Sequence, residues 1–312
     1  MKPEIVVAPR LLDVVMQRLE AEFIVHRLWE ASEPMAFLAP IAAKIRGFAS
    51  FTGYPVRAEM IAALPQLEII ATMSVGLDHI DLAAARARGI AVTYAPDVLT
   101  DCVADTGMAL ILAVARRIVA ADRFVREGRW LKGTFPLATK VGGATMGIVG
   151  LGRIGKAVAR RAEAFGMHIV YHGRHRQSDV PYPFFADLIA MARESDYLML
   201  TSPGGPATRH LVNAAVIDAL GPEGVIINIA RGSVVDEAAL VAALVEGRLG
   251  GAGLDVYEDE PRVPEALMKL DNVVLLPHIA SATLATRTVM GQLMIDNLKA
   301  HFAGKPLITP VG

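Results

Sequence analysis

Three side chains in this chain are of types that can hold an acid and move a proton: Arg231, Glu260 and His278. Arg231 follows the apolar run Ile226-Ile-Asn-Ile-Ala, Glu260 lies in Asp255-Val-Tyr-Glu-Asp-Glu-Pro261, and His278 lies in Leu276-Pro-His-Ile-Ala280. Each alone is unremarkable. Together, at the ends of successive strand-like runs, they point to a site, because ligands of parallel sheets lie beyond the carboxyl ends of the strands. A second chemical stretch is Thr145-Met-Gly-Ile-Val-Gly-Leu-Gly-Arg-Ile-Gly155. It reads as a strand running into three glycines and then a helix, with Ile154, Val158, Ala159 and Ala162 on one face. Gly150 permits the tight turn, Gly152 lets the backbone approach a pyrophosphate, and Gly155 lets helix pack on strand. The helix start offers unpaired N–H groups and the positive end of its dipole to phosphates. Such glycines are weak evidence by themselves and much better between a strand and a helix.

The next strand, residues 168–172, ends in Gly173-Arg-His-Arg176. An NAD-binding unit should place an acid there, about 20 residues past the glycine turn, for the ribose 2′-hydroxyl. No acid occurs between Glu163 and Asp179. Arg174 and Arg176 stand in its place, and a guanidinium fork suits a 2′-phosphate. The expected cofactor is therefore NADP(H); the plainer alternative is a solvated basic loop. Histidines 168, 172 and 175 have no Cys or acid beside them, so no metal is expected. Earlier, Ser74-Val-Gly-Leu-Asp-His-Ile-Asp81 forms a loop after a strand. Gly76 there could turn N–H groups toward a small anion; an ordinary strand-to-helix turn is the equal alternative. Asp81 should cap the helix that follows.

The elements that must position these residues alternate in type. Strand-like runs occupy residues 5–8, 67–73, 90–94, 146–149, 168–172, 197–201, 225–229, 253–256 and 273–276, with helical patterns such as 11–19 between them. That rhythm implies an α/β fold with doubly wound parallel sheets. A helical pattern runs from about 98 to 126, and another from 282 to 302. Trp130, Leu131, Phe135 and Leu137 follow the first in a loop richer in apolar side chains than solvent favours. A homodimer through the 99–140 helix and loop would explain them; a loop folded onto its own domain is the alternative.

Bulk properties narrow the class. A length of 312 residues suggests about two domains. Hydrophobic content is 53% and mean hydropathy +0.41, yet no apolar run approaches the ~18 residues of a membrane span. The N-terminal run lacks a signal-peptide pattern, and the single cysteine, Cys102, excludes an internal disulfide and fits a reducing cytoplasm. A net charge of −1 argues against a nucleic-acid surface.

Four pieces, in order along nearly the whole chain, carry a resemblance: Gly150-Leu-Gly-Arg-Ile-Gly155, Asn228-Ile-Ala-Arg-Gly232, Gly253-Leu-Asp-Val-Tyr-Glu-Asp-Glu-Pro261 and Leu276-Pro-His278. The chain resembles the D-isomer-specific 2-hydroxyacid dehydrogenases. Through Val98-Leu-Thr-Asp-Cys-Val-Ala-Asp105 and Val273-Val-Leu-Leu-Pro-His278 it is most similar to the NADP-dependent glyoxylate/hydroxypyruvate reductases and the plant hydroxyphenylpyruvate reductases. The resemblance implies two Rossmann-like domains with the active site in the cleft between them. Residues 1–98 with 285–312 would form a flavodoxin-like substrate-binding domain, and 99–284 the dinucleotide-binding Rossmann domain, hinged near 96–99 and 281–285.

The resemblance also implies roles. Reducing a 2-oxo acid needs a cation for its carboxylate, a proton donor at the keto oxygen and a positioned hydride. Arg231 would grip the carboxylate and polarise the carbonyl. His278 would donate the proton, and Glu260 beside it would favour the imidazolium form. Val75, Gly76 and Leu77 would complete substrate binding with Arg231 and His278. Gly150, Leu151, Gly152, Arg153, Ile154 and Gly155 would hold the cofactor phosphates, with Gly173, Arg174, His175 and Arg176 at the ribose. Ile229, Ala230 and Asp255 would lie at the nicotinamide. Relatives commonly carry Leu-Thr after the strand ending at Thr201, where this chain has Ser202-Pro-Gly-Gly-Pro206. No basic residue lies between Met73 and Asp78 to meet a second carboxylate, so small 2-oxo acids (glyoxylate, hydroxypyruvate) are expected, with aryl pyruvates as the alternative. A dinucleotide-sensing co-regulator is the non-enzyme alternative. The absence of disordered tails and of a basic patch favours the enzyme.

Overall fold

The computed structural model describes residues 2–312; Met1, at the head of the N-terminal run, lies outside the described residues. The chain divides into two compact units, Met1–Leu99 with Ala282–Gly312, and Thr100–Ser281.

In the first unit, strands β1 (Glu4–Ala8), β2 (Ile24–Arg27), β3 (Ile45–Ser50), β4 (Ile69–Thr72) and β5 (Ala91–Thr93) form one parallel sheet. The spatial order is β2-β1-β3-β4-β5, with the reversal of direction beside β1 that flavodoxin-like sheets share. Helices α1 (Asp13–Glu22), α2 (Pro34–Leu38), α3 (Ala58–Ala63) and α4 (Leu82–Ala87) connect them. Ile5, Val6, Val7 and Ala8 are all fully buried. Helices cover such a sheet on both faces, so its strands read as unbroken apolar runs. Asp81 caps α4 by accepting from the Ala84 amide, as its position implied. Strands β2 and β3 were not legible. The first is a half-exposed edge, and Ile45-Arg-Gly-Phe-Ala-Ser50 is interrupted by Arg46 and Gly47.

The second unit carries α5 (Thr100–Ala115), α6 (Ile118–Arg126), β6 (Thr145–Val149), α7 (Arg153–Ala164), β7 (His168–His172), β8 (Phe184–Phe185) and α8 (Leu188–Arg193). It continues through β9 (Tyr197–Leu200), α9 (Ala214–Leu220), β10 (Val225–Asn228), α10 (Glu237–Val245), β11 (Gly251–Leu254), α11 (Glu265–Met268) and β12 (Val273–Leu275). Its seven parallel strands lie in the order β12-β11-β10-β9-β6-β7-β8. The winding direction switches between β6 and β9, which is where a dinucleotide crevice opens in such sheets. The last helix, α12 (Leu284–Phe302), belongs to the first unit and packs on α1 and β4. Asn297, fully buried in α12, accepts from the Ile308 and Thr309 amides and so ties down the C-terminal segment.

One expectation is corrected. The helical pattern 98–126 is two helices, because Arg117 turns into left-handed backbone (φ 51°) between α5 and α6. Its guanidinium lies over the Phe135 ring, and Phe135 also packs edge-on against Phe124 of α6. The break thus lets the following loop fold back on its own helix. Phe135 is held within its own unit, whereas Trp130, Leu131 and Leu137 remain 68%, 93% and 99% exposed. Among the described residues no helix is long and apolar enough to cross a membrane.

Candidate active site

The glycine turn joins β6 to α7 at the switch point. Gly150 takes φ +94°, and a Cβ there would meet the Ser202 backbone at 2.8 Å. At Gly155 a Cβ would meet the Gly150 carbonyl at 2.6 Å. At Gly152 it would meet nothing within 4 Å, and no side chain caps α7. Two glycines are therefore filled by the protein itself, while the third faces open space at an uncapped helix start. Thr201 Oγ1 donates to the Gly150 carbonyl (2.6 Å) and the Gln177 side-chain amide donates to the Leu151 carbonyl (2.8 Å). Ser202 Oγ is buried beside this turn without a hydrogen-bond partner among the described residues. An orphaned hydroxyl, an open glycine and an uncapped 12-residue helix together fit the phosphates of a dinucleotide.

Beyond β7, Arg174, His175 and Arg176 are exposed. Neither arginine enters an ion pair among the described residues. The nearest acid in sequence, Asp179, is taken by Lys156 of α7 at 2.6 Å. That contact holds the Asp179 carboxyl below its usual range. The loop thus presents two unpaired guanidinium groups and no competing carboxylate.

The carboxyl ends of β10, β11 and β12 carry the remaining residues. Asn228, the last residue of β10, donates to the Arg231 carbonyl (2.9 Å) and accepts from the Ala230 amide (3.0 Å). That is an unusual residue for a strand end, and it bends the backbone so that Ile229 and Ala230 are buried and Arg231 half-exposed. The Arg231 stem packs against Gly204, where a Cβ would come within 2.8 Å of it. Asp255, 1% exposed, accepts from the Ile279 (2.7 Å) and Ala280 (2.9 Å) amides. Burial pushes its carboxyl pKa up, against the pull of those two amides and of His278. His278 follows with φ 53°, a conformation rare for a residue other than glycine.

His278 Nδ1 lies 2.7 Å from Glu260 Oε2, and each side chain is about a third exposed. Burial pushes the Glu260 pKa up, but the hydrogen bond and charge of His278, the Tyr257 amide and Arg231 outweigh it, leaving the carboxyl below its ordinary value. Tyr257 donates its hydroxyl to the Leu276 carbonyl (3.0 Å), and burial pushes that phenol to about 12. It stays protonated and keeps the Glu260 loop tied to the strand end before His278. With Nδ1 committed to Glu260, Nε2 is the ring nitrogen free to exchange a proton with a ligand.

In the first unit, Val75, Gly76 and Leu77 lie in the loop after β4, all half-buried. Ser74 Oγ donates to the Gly76 carbonyl (2.9 Å) and shares a 2.8 Å hydrogen bond with Thr72 Oγ1. This bracing fixes the loop, which does not depend on left-handed backbone at Gly76.

Residue reasoning passed over Thr201, Gln177, Asn228 and Tyr257, all of which hold site residues by hydrogen bonds. Asn228 had a readable signal, since Asn is depleted in strands. The others had none. Among the described residues no group of three or more His, Cys, Asp or Glu could hold a metal ion.

The fold and site define a dinucleotide-binding α/β protein with an acid–base pair and a cation at its strand ends. The description "D-isomer specific 2-hydroxyacid dehydrogenase, NAD binding domain" matches residues 108–280. A hydroxyphenylpyruvate reductase of Plectranthus scutellarioides is 52% identical, over 95% of this chain and 94% of its own. Glyoxylate/hydroxypyruvate reductase A of Arabidopsis thaliana is 49% identical over 94% of both chains. A solved structure, the NADPH-dependent glyoxylate/hydroxypyruvate reductase of Sinorhizobium meliloti in complex with NADP and malonate, superposes with a TM-score of 0.95 at 44% identity, covering 100% of this chain and 97% of that one. The chain belongs to the D-isomer-specific 2-hydroxyacid dehydrogenases.

Proposed function

We propose that the chain reduces small 2-oxo acids, glyoxylate and hydroxypyruvate foremost, to 2-hydroxy acids of D configuration wherever the product is chiral, with NADPH as the reductant. The observation that carries this reading is the 2.7 Å His278–Glu260 pair at the same carboxyl end of the parallel sheet as the glycine turn. The glyoxylate/hydroxypyruvate reductases among the relatives support the substrate class, and the NADP complex of the S. meliloti enzyme supports the cofactor.

When bound, NADPH would supply the hydride for the keto carbon. His278 Nε2 gives its proton to the keto oxygen as the carbonyl π bond breaks, and takes it back in the reverse reaction. Glu260 holds the ring through Nδ1 and so leaves Nε2 for the proton transfer. Arg231 binds the substrate carboxylate and opposes the charge developing on oxygen, while Val75, Gly76 and Leu77 of the first unit hold the rest of the acid. The first unit is thus the substrate-binding domain and the second the dinucleotide-binding domain. Gly150 to Gly155, with Ser202, receive the pyrophosphate. Arg174 and Arg176 receive the 2′-phosphate, flanked by Gly173 and His175. Ile229 and Ala230 lie toward the nicotinamide, as does Asp255 to the extent that its two amide partners leave it lone pairs.

A second reading, reduction of aryl pyruvates, is favoured by the 52% identity to a hydroxyphenylpyruvate reductase. Comparing kcat/KM for glyoxylate, hydroxypyruvate, 4-hydroxyphenylpyruvate and 2-oxoglutarate with NADPH separates the two. Fastest turnover of hydroxypyruvate or glyoxylate is expected. A 2-oxoglutarate rate above all others would overturn both readings, and tight NADPH binding without any turnover would point to a dinucleotide-sensing protein.

We also propose a homodimer. None of the residues of α6 is buried within its own chain, and Ile118, Val119, Val125, Trp130, Leu131 and Leu137 are exposed. A second copy covering residues 99–140 accounts for that apolar surface. Sedimentation as a monomer at micromolar concentration would remove it.

A further inference from the structure

Two histidines of the second unit share an uncommon pair of properties. His278 and His210 both hold left-handed backbone, at φ 53° and 50°. Each ring also meets a glutamate of the same loop after β11: His278 bonds Glu260 at 2.7 Å, and His210 Nε2 lies 3.0 Å from Glu258 Oε1. Left-handed backbone in a residue other than glycine persists only where the surroundings over-determine it, and it gathers at functional sites. For His278 the surroundings are the site already described. His210 has a construction of its own.

The His210 amide donates to the Ser233 carbonyl at 2.8 Å, two residues beyond Arg231. Its ring reaches Glu258, two residues before Glu260. One residue thus spans the loop that carries the cation and the loop that carries the carboxylate. Arg209 donates to the same Glu258 oxygen at 2.7 Å, and Glu237 accepts from the Glu258 amide at 3.1 Å. Asp259 turns away to Arg262 at 2.7 Å. The two loops also touch backbone to backbone, since a Cβ on Gly232 would lie 1.9 Å from the Tyr257 carbonyl carbon. Tyr257 passes this position on, through its amide to Glu260 Oε1 (3.1 Å) and through its hydroxyl to the Leu276 carbonyl (3.0 Å).

We propose that Glu258 and His210 are positioning residues: their contact locks the loop after β9 to the loop after β11, and so fixes the register in which Glu260 meets His278. The proposal rests on the reading of His278 and Glu260 as the acid–base pair. An isolated ion pair at this exposure would contribute little. Here the ring is one end of a link whose other end is main chain, so its loss frees a loop. A small displacement of a catalytic group is costly in rate, up to about a hundredfold per ångström.

The test uses the full-length enzyme with glyoxylate or hydroxypyruvate and NADPH. Glu258→Ala should lower kcat by roughly tenfold with KM values within about twofold, and Glu258→Gln, which keeps an acceptor oxygen, should recover most of the loss. His210→Asn gives an independent route, because Asn tolerates left-handed backbone but is too short to reach Glu258; it should lower kcat in the same sense but by less than Glu258→Ala, because Arg209 still holds the Glu258 carboxylate at 2.7 Å. Both should move the pH profile of reduction in the same direction as Glu260→Gln, and Glu258→Ala should add nothing in a Glu260→Gln background. A Glu258→Ala enzyme with wild-type kcat and pH profile overturns the proposal. So does a full, additive loss on top of Glu260→Gln. Failure of the reading beneath it looks different: His278→Ala would then turn over normally, and the clamp would fall with the pair it serves.

Discussion

Replacing Glu260 by Gln removes one charge and little volume, so it isolates what the carboxylate does for His278. At 2.7 Å, with the side chains 31% and 33% exposed, the pair lies between a buried ion pair and a surface one. A hydrogen bond to a charged group contributes about 1.5–3 kcal/mol. Screening at this exposure removes roughly half of that, leaving about 1 kcal/mol for the contact. A transition state that loses the contact loses that stabilisation, so kcat/KM should fall about 3–10-fold. The pH dependence follows from the carboxyl: Glu260 is an anion where Gln is neutral, so the deficit is fully present while Glu260 is ionised. Glu260 itself is held below its ordinary value of 4.5. Its contribution is therefore complete above that value and is lost only as the pH falls through the lower folded one. The assay is kcat/KM for glyoxylate with saturating NADPH, measured across the pH range for wild type and variant. A variant with wild-type kcat/KM at neutral pH refutes the pairing as a contribution to the rate.

His278→Ala should lower kcat by about 10²–10⁴, the range of general acid–base catalysis, with NADPH binding by calorimetry little changed. Arg231→Ala should raise KM for the acid and lower kcat as well, because the same charge serves bound carboxylate and developing alkoxide; a KM effect alone would assign it to binding only. The double variant Arg174→Ala, Arg176→Ala should cut the ratio of kcat/KM for NADPH over NADH by about tenfold or more, and an unchanged ratio would return the loop to solvent. Asp255→Asn should destabilise the fold by about 1–3 kcal/mol in urea titrations, since the side-chain NH2 that replaces one oxygen would face the N–H donor of Ile279 or Ala280.

The second unit was largely legible because its strands are continuous apolar runs between glycine and proline signals. His168–His172 appears with the boundaries read from sequence. The first unit was less so. Its sheet core survives interruptions such as Arg46 in β3, which lies against Glu68 at the strand edge where a charge can stay solvated. Period alone cannot detect such a strand. The break at Arg117 was hidden for a related reason. Residues 98–126 keep a helical pattern on both sides of it, and the cation–ring contact between Arg117 and Phe135 that accompanies the left-handed turn leaves no spacing signal. Within the site, Arg231, Glu260 and His278 declared themselves as polar groups at the ends of apolar runs. Gln177 and Thr201 did not, because a side chain that hydrogen-bonds a backbone carbonyl leaves no spacing signature.

Asp255 shows how a single residue can serve both fold and site. A carboxylate with 1% exposure is costly unless hydrogen-bonded. Its two oxygens are satisfied by consecutive amides just beyond His278, and its own carbonyl accepts from the His278 amide at 2.9 Å. Three hydrogen bonds from one residue of the β11 end thus bind the turn after β12, which explains how His278 can sustain left-handed backbone. The ring's aim at Glu260 is consequently set before any ligand arrives, which is the preorganisation that proton transfer requires.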